Sequence, residues 1–99
     1  MKSFYQDCYR VLKKVPKGRV TTYKAIAEAL DSKAYRAVGS AMNKNENAPK
    51  IPCHRVVPSS GEIGQYASGV KKKIRLLKSE GIEVKNNKIV DFEERFFKP

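Results

Sequence analysis

The sequence has few of the residues that hold small extracellular proteins together. Cysteine occurs only twice in 99 residues, too few for the disulfide framework that staples a secreted mini-protein. Histidine occurs once. Cys8, Cys53 and His54 are then three potential ligands in no zinc-binding spacing, so neither a metal nor a cofactor is expected. No apolar run exceeds a few residues, which excludes a transmembrane span and a signal-peptide core. Acidic residues are scarce too: 10 Asp and Glu stand against 21 Lys and Arg. The expectation is an intracellular, reduced, soluble protein.

What is present bounds the rest. Ninety-nine residues make one domain, and 40% apolar content supports one small core. A net charge of +11 on so small a body points to a polyanion, nucleic acid first. The alternative is a Lys-rich composition that serves solubility alone. The charge is uneven. Residues 1–81 hold 17 of the cations and 6 of the acids, while residues 82–99 are neutral. A general compositional bias would not spare the tail so cleanly; a functional basic surface would.

The pattern along the chain is mainly helical with short strands. Ser3 can cap a helix whose apolar face is Phe4, Cys8, Val11 and Leu12. Pro16-Lys17-Gly18 breaks it. After a short extended entry at Val20, Thr21 or Thr22 can cap a second helix through Leu30. Asp31-Ser32 ends that helix and offers the next cap, for a third helix to about Asn43 rich in small residues. Two short helices across a tight turn form a helix-turn-helix pattern over about 21–43. A polar loop over about 44–58 follows, with Val56-Val57 able to form a strand. Gly69–Ser79 reads as a basic amphipathic helix. Val70, Ile74 and Leu77 lie on one face, and Lys71, Lys72, Lys73, Arg75 and Lys78 around the rest. Gly81 stops it. Ile82 to about residue 91, around Asn86-Asn87, reads as a small hairpin that caps the fold.

The reactive group is Pro52-Cys53-His54-Arg55. A thiol becomes a strong nucleophile as the thiolate, which a neighbouring histidine or positive charge favours. Adjacent side chains in an extended segment point apart, so this pairing also suits a structural cysteine. Cys8, on an apolar helix face, reads as a core residue. Two prolines and three asparagines in Asn43–Pro52 form a long loop before Cys53, and small domains keep such loops for function.

The hexapeptide Pro52-Cys53-His54-Arg55-Val56-Val57 resembles the active-site signature of the O6-alkylguanine-DNA alkyltransferases. Three further segments carry the same resemblance: Gly18-Arg19-Val20-Thr21-Thr22-Tyr23, Tyr35-Arg36-Ala37-Val38-Gly39-Ser40-Ala41-Met42, and Gly64-Gln65-Tyr66 followed by Gly69, Lys73, Leu76-Leu77 and Glu80-Gly81. The resemblance implies a winged-helix-like helix-turn-helix domain of the alkyltransferase C-terminal type, without the N-terminal domain many members carry. It implies a monomer that binds double-stranded DNA containing O6-alkylguanine through the minor groove and flips the damaged base into a pocket. The alkyl group then moves to the protein's own cysteine, so each molecule acts once.

The same resemblance assigns residues. Cys53 is the acceptor, His54 takes its proton through a water, and Glu80 orients His54. Asn45 ties the recognition helix to the active-site loop, although Glu46 follows where the family has Pro. Arg36 is the finger that fills the gap left by the flipped nucleotide. Ala37 and Gly39 let the helix approach the groove closely. Tyr23 bonds the flipped guanine and crowds the flanking phosphate, and Tyr66 forms the pocket wall. Backbone groups of Cys53, Val56 and Ala67 read the guanine edge, and Lys73 lies near the active site. Two other readings remain. Alkyltransferase-like proteins share the fold and bind without transfer, usually with the reactive cysteine replaced. An unrelated helix-turn-helix transcription factor would need no Cys-His-Arg loop.

Overall fold

Ser3 caps the first helix as expected: its Oγ accepts the Gln6 N–H at 3.2 Å. This computed structural model describes residues 3–48 and 50–99. Pro49, one of the two prolines expected in the loop before Cys53, lies outside the described residues. Helix α1 spans Phe4–Leu12 and buries Cys8, Val11 and Leu12. The Pro16–Gly18 turn ends in β1, Thr21–Thr22. Thr22 Oγ1 accepts the Ala25 N–H at 3.0 Å and starts α2, Tyr23–Ala29.

The next start differs from the expectation. Ser32 does not cap α3; its Oγ accepts the Ala34 N–H inside the connecting turn. Helix α3, Tyr35–Asn43, begins after Ala34 with no side-chain cap. Ala34 instead sits at φ −80, ψ 61, an inverse γ-turn closed by the Tyr35 N–H on Lys33 O. A backbone turn does the work expected of a hydroxyl. Helices α1, α2 and α3 pack around Leu12, Ile26, Val38 and Ala41, all fully buried. The Tyr9 hydroxyl donates to Ala41 O at 2.6 Å and ties α1 to α3.

Strand β2, Val56–Val57, pairs in parallel with β1 in the register Thr21↔Val56 and Thr22↔Val57. Helix α4, Val70–Ser79, follows. It ends in a Schellman motif: Ile82 N–H reaches Leu77 O, Gly81 N–H reaches Lys78 O, and Gly81 takes φ +85. Strands β3, Val84–Lys85, and β4, Lys88–Ile89, form an antiparallel hairpin. Its two loop residues, Asn86 and Asn87, have φ 53 and 61, the left-handed geometry that asparagine tolerates. Beyond the hairpin lies an element the sequence pattern did not suggest, the one-turn α5, Phe92–Arg95. Phe96 then pairs in parallel with Val20. The tail thus joins the sheet edge beside β1. A second apolar cluster, of Val20, Val57, Ile63, Leu77, Ile82 and Ile89, sits under this half. The architecture is mainly helical with small two-stranded sheets. Among the described residues no helix is long and apolar enough to cross a membrane.

Candidate active site

Cys53 is held from both sides by backbone. Past α3, Asn45 Nδ2 donates to Ile51 O at 2.7 Å, and Asn45 Oδ1 accepts the Asn47 N–H. The same Ile51 carbonyl accepts the Cys53 N–H at 2.8 Å across an inverse γ-turn at Pro52. Asn45 therefore folds the loop against the residue two before Cys53. Residues Cys53–Arg55 form one 3₁₀ turn, closed by the Val56 N–H on Cys53 O. Strand β2 then docks on β1. The segment is thus a tight turn and not the extended strand in which neighbouring side chains diverge.

Cys53, 4% exposed, reaches a cavity of about 430 Å³. Tyr23 comes from the first turn of α2, Arg36 and Gly39 from α3, and Tyr66 and Ala67 from the loop before α4. Tyr35, Met42, Asn43, Pro58, Gly64 and Gln65 complete its lining. Gly64 is required there. It has φ +73, and a Cβ would lie 2.7 Å from Pro58 Cδ. A Cβ on Gly39 would meet nothing within 4 Å, so that face of α3 is open outward. Burial and the nearby Cys53 push the Tyr66 phenol up to about 12, and burial likewise raises Tyr23. Both stay protonated and able to donate.

Behind the cysteine lies a charged group. His54 is 1% exposed, with Nε2 3.0 Å from Glu80 Oε2. This approach is close but poorly aligned, and neither ring nitrogen has a well-formed hydrogen bond among the described residues. The stronger partner of Glu80 is Arg55. Arg55 Nε and Nη2 grip the two carboxylate oxygens at 2.9 and 2.6 Å, and Nη1 donates to Val15 O at 2.9 Å. Burial works to raise the Glu80 carboxyl, but Arg55 and His54 outweigh it and hold it below the ordinary carboxylate value. Burial pushes His54 below its usual value despite Glu80, and the charges of Arg55 and Lys73 add to the effect. The imidazole is therefore neutral at pH 7. With the proton on Nε2 beside the carboxylate, Nδ1 is free to accept.

Three of the expected DNA- or base-binding residues sit elsewhere than the cavity wall. Lys73, grouped with the cations around the outer face of α4, is fully buried. Its Nζ donates to Val56 O at 2.8 Å and Gln65 O at 3.0 Å, so it cannot meet a DNA phosphate. Position 73 falls on the stripe of Val70, Ile74 and Leu77, and that spacing carried the signal its charge obscured. Val56 has its N–H on Cys53 O and its carbonyl on Lys73, and is itself fully buried. Ala37 is half-buried on α3 and does not line the cavity. Arg55 is the member that sequence reasoning left without a partner. Its carboxylate lies 25 positions away, and no local pattern marks such a pairing.

A model of the 6-O-methylguanine DNA methyltransferase DNA-binding domain matches residues 3–82. The methylated-DNA–protein-cysteine methyltransferase of Saccharolobus islandicus is 44% identical over 81 residues, covering 82% of this chain and 52% of its own. The crystal structure of O6-methylguanine-DNA methyltransferase from Pyrococcus kodakaraensis superposes with a TM-score of 0.75 at 43% identity, covering 83% of this chain and 48% of that one. Atl1 of S. pombe, in complex with damaged DNA containing O6-carboxymethylguanine, gives a TM-score of 0.84 at 28% identity over 100% of both chains. The chain spans about half the length, or less, of the first curated relatives it matches. The match over residues 3–82, with the same fold in the solved structures, means that this chain belongs to the 6-O-methylguanine DNA methyltransferase family through its DNA-binding domain.

Proposed function

We propose that this protein repairs alkylated DNA by moving the alkyl group of O6-alkylguanine onto Cys53. One observation carries the proposal: a cysteine, not an inert side chain, stands at the floor of a cavity walled by Tyr23, Arg36, Gly39, Tyr66 and Ala67. The α2–α3 pair would lie in the minor groove, with Gly39 open to the backbone and Arg36 at the cavity mouth filling the gap left by a flipped base. The cavity suits a base with a small substituent. Neutral His54 takes the thiol proton at Nδ1, through a water, and Glu80 steadies the imidazolium. The sulfur–carbon bond forms as the carbon–O6 bond breaks. The electron pair leaves with guanine, which takes up a proton. The alkyl group stays on sulfur, so each molecule acts once. The exposed Lys71, Lys72, Arg75 and Lys78 add attraction for the DNA polyanion.

A second reading, recognition without transfer, is favoured by the full mutual coverage with Atl1. Cys53 supports transfer, because binding alone needs no thiol. Incubation with a duplex containing O6-methylguanine is expected to add one methyl group to the Cys53 peptide by mass spectrometry. Cys53→Ala abolishes this and leaves DNA binding nearly intact. An unmodified Cys53 peptide in wild-type protein that still binds tightly establishes recognition without transfer.

A further inference from the structure

Lys73 is the largest fully buried side chain of the described residues, and among them no carboxylate pairs with it. An unpaired ammonium in a protein interior is costly, so an apolar residue would be the ordinary occupant beside Val70, Ile74 and Leu77. The cost is offset by two backbone carbonyls from different segments. Val56 O, at 2.8 Å, belongs to the segment whose N–H closes the Cys53 turn. Gln65 O, at 3.0 Å, immediately precedes Tyr66 and Ala67. A lysine has a third N–H, and Gly64 is a near neighbour, since a Cβ built there would stand 3.8 Å from Nζ, in ordinary contact.

We propose that Lys73 is a positioning residue for Cys53: its ammonium ties the Cys53–Val56 turn to the Gln65–Ala67 wall and brings to that turn a positive charge that no described carboxylate pairs. The inference rests on Cys53 being the nucleophile. The titratable groups whose charge couples to the ammonium are Cys53 and His54 on the turn; Tyr66 follows Gln65 on the facing loop. Burial presses Lys73 down to about 8, and negative charge on Cys53 acts in the opposite direction. Lys73 in turn contributes to lowering His54. The ammonium is therefore charged at pH 7, where a thiolate needs it.

The test uses iodoacetamide, which alkylates cysteine without DNA, and reads the Cys53 peptide by mass spectrometry at pH 7. Lys73→Met protein, folded by circular dichroism, is expected to react about tenfold more slowly than wild type, which is about 1.4 kcal/mol in the barrier. Equal rates overturn the proposal. A second measurement needs no variant. In wild-type protein labelled with 15N-lysine, alkylation of Cys53 leaves a thioether that cannot become charged. The Lys73 Nζ signal must then titrate at lower pH than before, and an unmoved titration overturns the proposal equally. Methyl transfer from O6-methylguanine DNA is measured beside these on wild type. Its failure would remove the alkyl-transfer reading while leaving both lysine measurements interpretable.

Discussion

Replacing Arg55 with methionine tests whether the carboxylate behind His54 is held by the clamp. The side chains of Arg55 and Glu80 are 15% and 10% exposed, so most of their charge is out of water. The variant loses two charge-assisted bonds to Glu80 and leaves Val15 O without its donor. Charge-assisted bonds contribute about 1.5–3 kcal/mol and an orphaned buried acceptor costs about 1–3 kcal/mol. Breaking a buried pair costs about 3–5 kcal/mol, and the residual exposure here places the loss near the lower end, about 3 kcal/mol. For a domain of this size that lowers Tm by roughly 12–24 °C. Urea unfolding followed by circular dichroism at pH 7 measures it directly. The pH dependence gives a second check. Glu80 is held below its unfolded value, so its stabilisation is complete above about 4.5, the ordinary value, and is lost as pH falls through the folded value. The difference between wild type and Arg55→Met must therefore shrink on acidification. A loss under about 1 kcal/mol at pH 7, well short of a buried pair, or a difference that stays constant down to acid pH, would refute the reasoning.

Gly64→Ala places a Cβ 2.7 Å from Pro58 Cδ at φ +73. The left-handed backbone alone costs about 1–2 kcal/mol, so a total loss of at least about 2 kcal/mol and slower transfer are expected from urea midpoints and the methylation rate. An unchanged midpoint would show that the Pro58–Gly64 contact is slack. Arg36→Ala is expected to slow repair in duplex DNA more than reaction with free O6-benzylguanine, because only the duplex leaves a gap to fill. Equal losses on the two substrates would exclude the finger role.

Local chemistry made several features legible before any contact was known. Ser3 and Thr22 are caps because a hydroxyl can accept an N–H three residues on. Gly81 stops α4 because its left-handed φ is free of a Cβ penalty, and Asn86-Asn87 turn the hairpin for a related reason. The third helix start was misplaced because a backbone γ-turn at Ala34 carries no side-chain signal. At the site, Cys53, Tyr23, Arg36, Gly39, Tyr66 and Ala67 do converge on one cavity. Ala37, Val56 and Lys73 do not line it.

Helix ends, turn residues and the reactive Pro-Cys-His-Arg segment are local properties, and the amino-acid sequence determines them alone. The distances across the chain were settled only by tertiary packing. Thr21 lies beside Val56, Arg55 rather than His54 makes the strongest bonds to Glu80, and Phe96 bridges to the chain at Val20. Lys73 is the sharpest case. Its position in the helical period pointed inward and its charge pointed outward. Two carbonyls, eight and 17 residues away along the chain, made the inward place tolerable. A buried charge depends on partners that only the folded chain brings within hydrogen-bond reach.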